Sequence, residues 1–280
     1  MDPIISRKMH RTLEPYHALV YLVAEAGDAY RAVGLEPGRM SYFAPRAAPM
    51  GPVPADVVIA TFFGFSPAVV RPVIPAAWSL ASPADVLAAR LALVDRALRR
   101  ILGDEVVESP EIVEAATLAR RAAEACTPEG RALSAGHASL PYPDEPHLAL
   151  WHALTLVREF RGDGHNAAQT AAGVEGCDAM VMHHATGEIP KAYADSRGWT
   201  PDEWAASQDR LRGLGWLDAD GALTEDGRAQ RQWVEDRTDA LALVCWERLG
   251  DDDAARLRGL VRPFSKAIAE DSFGAFRAMD

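Results

Sequence analysis

Thr200-Pro201-Asp202-Glu203-Trp204, followed by Gly215-Trp216-Leu217-Asp218-Ala219-Asp220-Gly221 and Leu223-Thr224-Glu225-Asp226-Gly227-Arg228, is the stretch on which the fold reading turns. Thr200 is a good helix N-cap, Pro201 suits the first helical position, and Glu203, three residues after the cap, completes a capping box. Trp204, Leu211 and Leu214 continue at roughly helical spacing, and Gly213 and Gly215 stop the helix. Trp216-Leu217 and Ala222-Leu223 predict two short strands around Asp218-Ala219-Asp220-Gly221, whose Asp and Gly supply tight-turn chemistry. Thr224 then caps a long helix, expected from about Glu225 to Leu243. The expected unit is helix, small β-wing, helix.

This order resembles the second half of MarR-type regulators, in which a Leu-Thr-x-x-Gly-Arg run follows the wing. The resemblance implies a winged helix. Such folds usually bind DNA and commonly house aromatic or carboxylate ligands in a cleft between helices. A DNA-binding version would line its recognition helix and wing tip with Arg and Lys, because phosphate neutralisation supplies most of the affinity. Between Thr200 and Ala240 there are instead ten acidic residues against five Arg. Asp218 and Asp220 occupy the wing tip, and His165 to Thr186 contains no Lys or Arg. The 280-residue chain is formally −11. DNA is the disfavoured partner, although a local patch can override net charge. Arg90, Arg96, Arg99, Arg100, Arg120 and Arg121 are the only basic concentration.

Length allows one large domain or two small ones. No apolar run approaches 18 residues, so no membrane partner is expected. Arg7, Lys8 and Arg11 precede no apolar segment of signal-peptide form, and a cytoplasmic location is expected. Cys126, Cys177 and Cys245 are widely spaced and odd in number, which suggests neither a disulfide frame nor a zinc knuckle.

Helical spacing runs from Arg11 to Val33, followed by a Pro- and Gly-rich loop over 36–54. Short helices are expected over 55–63 and 66–78. Ser82-Pro83, Ser109-Pro110 and Thr127-Pro128 read as helix starts. Pro141-Tyr142-Pro143-Asp144-Glu145-Pro146 marks the best boundary. The organisation read from this is an N-terminal helix-turn-helix-like half over 1–80, connecting helices over 81–140 and a winged-helix half over 141–280. Glu14-Pro15-Tyr16-His17-Ala18-Leu19 and Glu145-Pro146-His147-Leu148-Ala149-Leu150 both read as openings of long helices, which suggests two related halves. The fold class expected is mainly α, the second half a winged helix with a small β-wing.

With Arg46-Ala47-Ala48-Pro49-Met50-Gly51-Pro52-Val53 and Leu156-Val157-Arg158-Glu159-Phe160-Arg161-Gly162-Asp163-Gly164-His165, the chain is similar over nearly its full length to an actinobacterial family labelled helix-turn-helix. That resemblance implies a fold and carries no catalytic residues with it.

The second of these segments holds the chemistry. Arg158 and Arg161, spaced i, i+3, end a helix on neighbouring faces. Gly162 and Gly164 then read as a tight turn exposing Asp163 and His165. The arginines could bind a carboxylate or phosphate, and Asp163 could orient His165 as a general base. The plainer reading makes Gly162 a C-cap and Asp163 the cap of the next helix. His183 and His184, beside Met180 and Met182, are candidates to face a ligand. Adjacent helical residues point about 100° apart, so they do not share a metal easily. A haem or metal is the minor reading there, and no cofactor is assigned. Tyr42 and Arg46, on the proline-stiffened loop, could close a pocket against the second half. HExxH, GxGxxG, GxSxG and Walker A patterns are absent, and His147 and His152 are five apart. The function expected is small-molecule binding in a pocket between the halves, with an enzyme of specialised metabolism as its catalytic form. The alternative is a MarR-like regulator binding DNA as a homodimer.

Overall fold

The computed structural model describes residues 1–272. Their regular structure is helical throughout, and no strand occurs among them. The chain opens with α1 (Ile4–Leu22), α2 (Ala26–Arg31), α3 (Arg39–Ala47) and a 3-10 turn over Ala48–Met50. Three short helices follow: α4 (Ala55–Thr61), α5 (Pro67–Val70) and α6 (Ile74–Leu80). The middle holds α7 (Pro83–Leu102), α8 (Asp104–Val107), α9 (Pro110–Ala123) and α10 (Ala132–Ala138). The remainder is α11 (Pro146–Ala171), α12 (Gly176–Ala185), α13 (Lys191–Asp195), α14 (Pro201–Gly213), α15 (Glu225–Leu249) and α16 (Asp251–Ser272). Ser66, Ser82, Ser109 and Thr200 each precede a proline at N1 and accept a backbone N–H from the first turn. This satisfies donors that a helix start otherwise leaves open.

The fold is organised around α11. Leu148, Leu150, Trp151, Ala153, Leu154, Leu156, Val157 and Phe160 are all buried, apolar on every side, as a central helix must be. Helices α1, α7, α9, α10 and α15 pack around it. Helix α1 also packs on α15 and α16. The largest core therefore draws on residues from Met9 to Ile268. A second core gathers Phe43, Phe62, Phe65 and Ile74, and a third gathers Val181, Leu211, Leu217 and Leu223.

The winged-helix expectation is corrected. Its wing reduces to one antiparallel bridge, Leu217 to Leu223. Asp218 Oδ1 accepts the N–H groups of Asp220 and Ala222, so the side chain takes backbone donors that a longer ladder would need. Gly227 has a separate role. A Cβ there would lie 2.0 Å from the Trp216 carbonyl oxygen, and the missing side chain lets the turn close onto α15.

Helix α11 does not end at Arg161. It runs through Gly162 and Gly164 to Ala171, so no turn exposes Asp163 and His165. The expected loop over 36–54 contains α3, with Pro45 inside it. Thr127-Pro128 lies in irregular chain before a turn at Glu129-Gly130, and α10 starts only at Ala132. The Glu-Pro phrases also differ in place: Pro15 is interior to α1, whereas Pro146 is the first residue of α11. The phrases thus give no support to related halves. Among the tryptophans, Trp151 belongs to the main core, Trp204 and Trp216 pack partly buried on the third, and Trp233 is exposed. The last eight residues of the 141–280 segment lie outside the described residues.

Candidate functional site: an arginine-lined cavity

A cavity of about 740 Å³ opens between α1, α11, α12 and α15 on one side and the Tyr42–Arg46 and Thr61–Phe65 segments on the other. This is within the size range of small-molecule sites. Arg7, Arg11, Arg46, Arg158, Arg161, Arg197, Arg228 and Arg231 line it, against four carboxylates, Glu159, Asp163, Glu188 and Glu235. A neighbouring groove of about 790 Å³, beyond Thr61 and Phe63, is lined by Asp56 and Asp163 and by no Arg, Lys or His. Cationic character, and not volume, separates the two.

Glu159 is the hub of the cavity wall. It is 1% exposed. Both its oxygens accept from Arg158 Nη1, at 3.0 and 2.9 Å, and Arg46 Nη2 lies 3.5 Å away. Burial alone would push its carboxyl up. The Arg158 and Arg46 charges outweigh burial and hold it well below the usual carboxylate range. Arg158 also donates to Glu14, which the same balance of burial against Arg158 holds down at about 2. Arg46 donates to Tyr42 Oη at 3.2 Å and lies over the Phe62 ring at 4.4 Å. Burial would raise the Tyr42 phenol, but the Arg46, Arg197 and Arg158 charges bring it below its ordinary value.

Arg161 is committed to Asp239 at 2.8 Å, an aspartate it shares with Arg7, and Glu235 lies 3.7 Å away. Arg231 pairs with Glu235. Arg11, Arg197 and Arg228 have no carboxylate partner among the described residues. Arg197 is held instead between the faces of Phe65 and Tyr193, 4.3 and 4.2 Å from the ring centroids, and Arg228 donates to the Leu223 carbonyl.

The structure brings Tyr42, Arg46, Arg158, Arg161, Asp163, His165 and His183 to this one cavity. It does not pair Asp163 with His165. Two residues apart on a helix point to nearly opposite sides, and each has its own partners. Asp163 accepts the backbone N–H groups of Leu133 and Ser134 at the start of α10, and burial, opposed by the Ser134 bond, raises its carboxyl to about 6. His165 Nδ1 meets Thr238 Oγ1, whose own proton goes to the Val234 carbonyl, so Nδ1–H is the donor. Its Nε2 then accepts from Gln169 at 2.8 Å. Both nitrogens are occupied, and burial lowers the imidazole to about 4. His183 faces the cavity with Glu188 at 3.4 Å. His184 does not line it: its ring packs edge-on to Trp204 and its Nδ1 meets the Ile189 carbonyl. No group of three His, Cys, Asp or Glu that could hold a metal occurs among the described residues.

Reading from sequence passed over Glu159 and the arginines of α1 and α15. Their signal was present. Arg7, His10, Arg11 and Glu14, and likewise Arg228, Arg231, Gln232 and Glu235, fall at i, i+3, i+4 and i+7, each set one polar stripe on a helix face.

Fold and cavity define, among the described residues, an all-helical protein with an arginine-rich cleft, on a chain of opposite net charge. The chain belongs to the helix-turn-helix family, whose model matches residues 6–276. No curated protein and no solved structure matches it.

Proposed function

We propose that the protein binds an anionic small molecule in the arginine-lined cavity. One observation carries this reading. Eight guanidinium groups converge on one cleft of a chain with net charge −11, and three of them, Arg11, Arg197 and Arg228, have no carboxylate partner among the described residues. Concentrating like charge costs stability unless something offsets it. The aromatic rings of Phe62, Phe65, Tyr42 and Tyr193 supply flat apolar walls beside the cations. Arg11, Arg197 and Arg228 are the recognition groups, because their charge is not spent on a protein carboxylate. Arg46, Arg158 and Arg161, with Tyr42, form the pre-set wall behind them. In this reading Asp163 and His165 fix the scaffold of α10, α11 and α15, and His183 stands at the cavity surface.

The test is calorimetric titration of the purified protein with benzoate, a phosphate monoester and pyrophosphate at low and moderate salt. Arg197→Ala and Arg228→Ala should each weaken binding about tenfold or more, as charged hydrogen bonds of about 1.5–3 kcal/mol would. Absence of binding for all three anions at millimolar concentration would overturn the proposal.

Membership of the helix-turn-helix family favours a second reading, a DNA-binding regulator. Most cations on the middle helices are not free, although Arg96 and Arg120 are exposed and have no carboxylate partner among the described residues. Arg90 is buried, Arg99 is paired with Asp95, Asp104 and Glu108, Arg100 with Glu25 and Asp271, and Arg121 with Asp253. On α14, Arg210 is paired with Asp178 and Arg212 with Asp209. Duplex affinity that rises steeply as salt falls would favour this reading over the first.

A further inference from the structure

The arginine-lined cavity and the neighbouring groove share a wall. Thr61, Phe63, Phe65, Asp163 and Asn166 line both spaces, so the two lie on either side of one layer of side chains. The backbone of that wall is fixed. Asn166 Nδ2 donates to the Thr61 carbonyl at 2.8 Å, Trp199 Nε1 to the Gly64 carbonyl at 3.0 Å, and the Ser66 N–H to the Arg197 carbonyl at 3.0 Å. Gly176, at the start of α12, lets that helix close on the same segment: a Cβ there would lie 2.4 Å from the Phe63 carbonyl oxygen. Phe63 itself is half-buried and belongs to none of the three cores among the described residues.

The groove, about 790 Å³, is the chemical reverse of the cavity. Every polar side chain lining it already has a protein partner. Asp56 pairs with Arg71 at 2.7 Å, and Asp163 accepts the Leu133 and Ser134 N–H groups. Thr61 donates to the Val57 carbonyl and Thr170 to the Asn166 carbonyl, while Asn166 and Trp199 hold the wall. What remains is apolar surface, led by Val57, Ile59, Phe63, Phe65, Pro67 and the Trp199 ring. Across the wall, Arg11, Arg197 and Arg228 keep charge that no carboxylate uses. The cavity therefore suits an acidic group, and the groove suits a chain that gains affinity by leaving water.

We propose that the ligand of the arginine-lined cavity is a single-chain amphiphilic anion, a carboxylate or phosphate head carrying an alkyl or acyl tail, and that the tail passes the Phe63 ring to lie in the groove. This inference rests on the anion reading above and adds the apolar half of the ligand.

Calorimetric titration of the full chain with butyl, hexyl, octyl and decyl phosphate, each below its micellar concentration, reads the tail directly. Affinity should rise roughly tenfold for each two carbons added, because the added methylenes leave water. Ala167 on α11 and Ala60 on α4 are exposed and line the groove but not the cavity. Ala167→Phe should fill the groove, keep the butyl phosphate affinity and flatten the rise. Arg228→Ala should weaken all four phosphates and keep the rise. If Ala167→Phe does not fold, Ala60→Phe provides the same test. Equal affinity along the series would overturn this inference and leave the anion reading standing. A rise that both groove-filling variants leave intact would put the tail elsewhere and overturn it as well. No binding by any of the four would remove both readings.

Discussion

Gly162 and Gly164 sit on the same helix, two residues apart, and the structure assigns them opposite responses to alanine. Neither has positive φ. A Cβ on Gly162 would meet only Glu159 Oε2 at 3.5 Å, an ordinary contact. Helix propensity then dominates, and Gly162→Ala should stabilise by up to about 1 kcal/mol. A Cβ on Gly164 would fall 2.1 Å from Arg131 Nη1. That guanidinium is pinned. It donates to the Phe160 carbonyl at 2.7 Å and the Leu241 carbonyl at 3.2 Å, and it covers the Phe160 ring at 4.2 Å. Displacing it forfeits one or both charged hydrogen bonds, about 1.5–3 kcal/mol each, against the same propensity gain of about 1 kcal/mol. The net expected loss is about 0.5–5 kcal/mol, with melting lower by about 2 °C per kcal/mol for a chain of this length. Urea and thermal unfolding of the two variants, followed by far-ultraviolet circular dichroism, reads both signs in one experiment. If Gly164→Ala is as stable as wild type, Arg131 is not held there and the packing argument fails. If both variants are destabilised, the two glycines form a turn and α11 ends before them.

Arg158→Ala should cost about 3–5 kcal/mol in urea unfolding, because it leaves the buried Glu159 carboxylate with Arg46 alone at 3.5 Å. Adding Glu159→Gln to it should recover part of that loss. For His165 the folded pKa, lowered by burial to about 4, lies below the unfolded value of 6.5. The unfolded chain therefore binds the extra proton, and the contribution is fully present above pH 6.5 and lost as pH falls towards 4. A His165→Gln variant should accordingly show a shallower fall in stability between pH 6.5 and 4, by up to one proton, or about 1.4 kcal/mol per pH unit. Cys126 and Cys245 lie with sulfurs 3.5 Å apart, so diamide should join them and leave Cys177 as the one free thiol. A peptide map in which Cys126 and Cys245 stay reduced, or in which Cys177 is cross-linked, would contradict that geometry.

Local chemistry was legible in the sequence where a few adjacent residues settle it. Thr200, Pro201 and Glu203 form the capping box that starts α14, and Thr224 caps α15, because a cap depends on its own first turn and little else. The Ser-Pro starts of α5, α7 and α9 are local in the same way. The expected wing does not form because Asp218 is more than a turn residue: its side chain also takes backbone donors of the turn. Gly162 and Gly164 predict a turn because their isolated propensity favours one, whereas both lie inside α11. Only the approach of Arg131 from another part of the chain shows why Gly164 is small inside a helix.

Arginine and histidine near the end of the expected helix marked much of the cavity wall, since charge on a largely apolar segment stands out in a sequence. What the sequence by itself determined is the helical class, the caps that start the helices and the acidic balance of the chain, all set by short-range spacing and composition. The tertiary structure alone decided which arginines are spent on carboxylates and which stay free, because those partners lie as far apart as Arg158 from Glu14 and Arg7 from Asp239. It also decided that Asp163 and His165 face different partners, since a continuous helix turns adjacent chemistry to opposite sides.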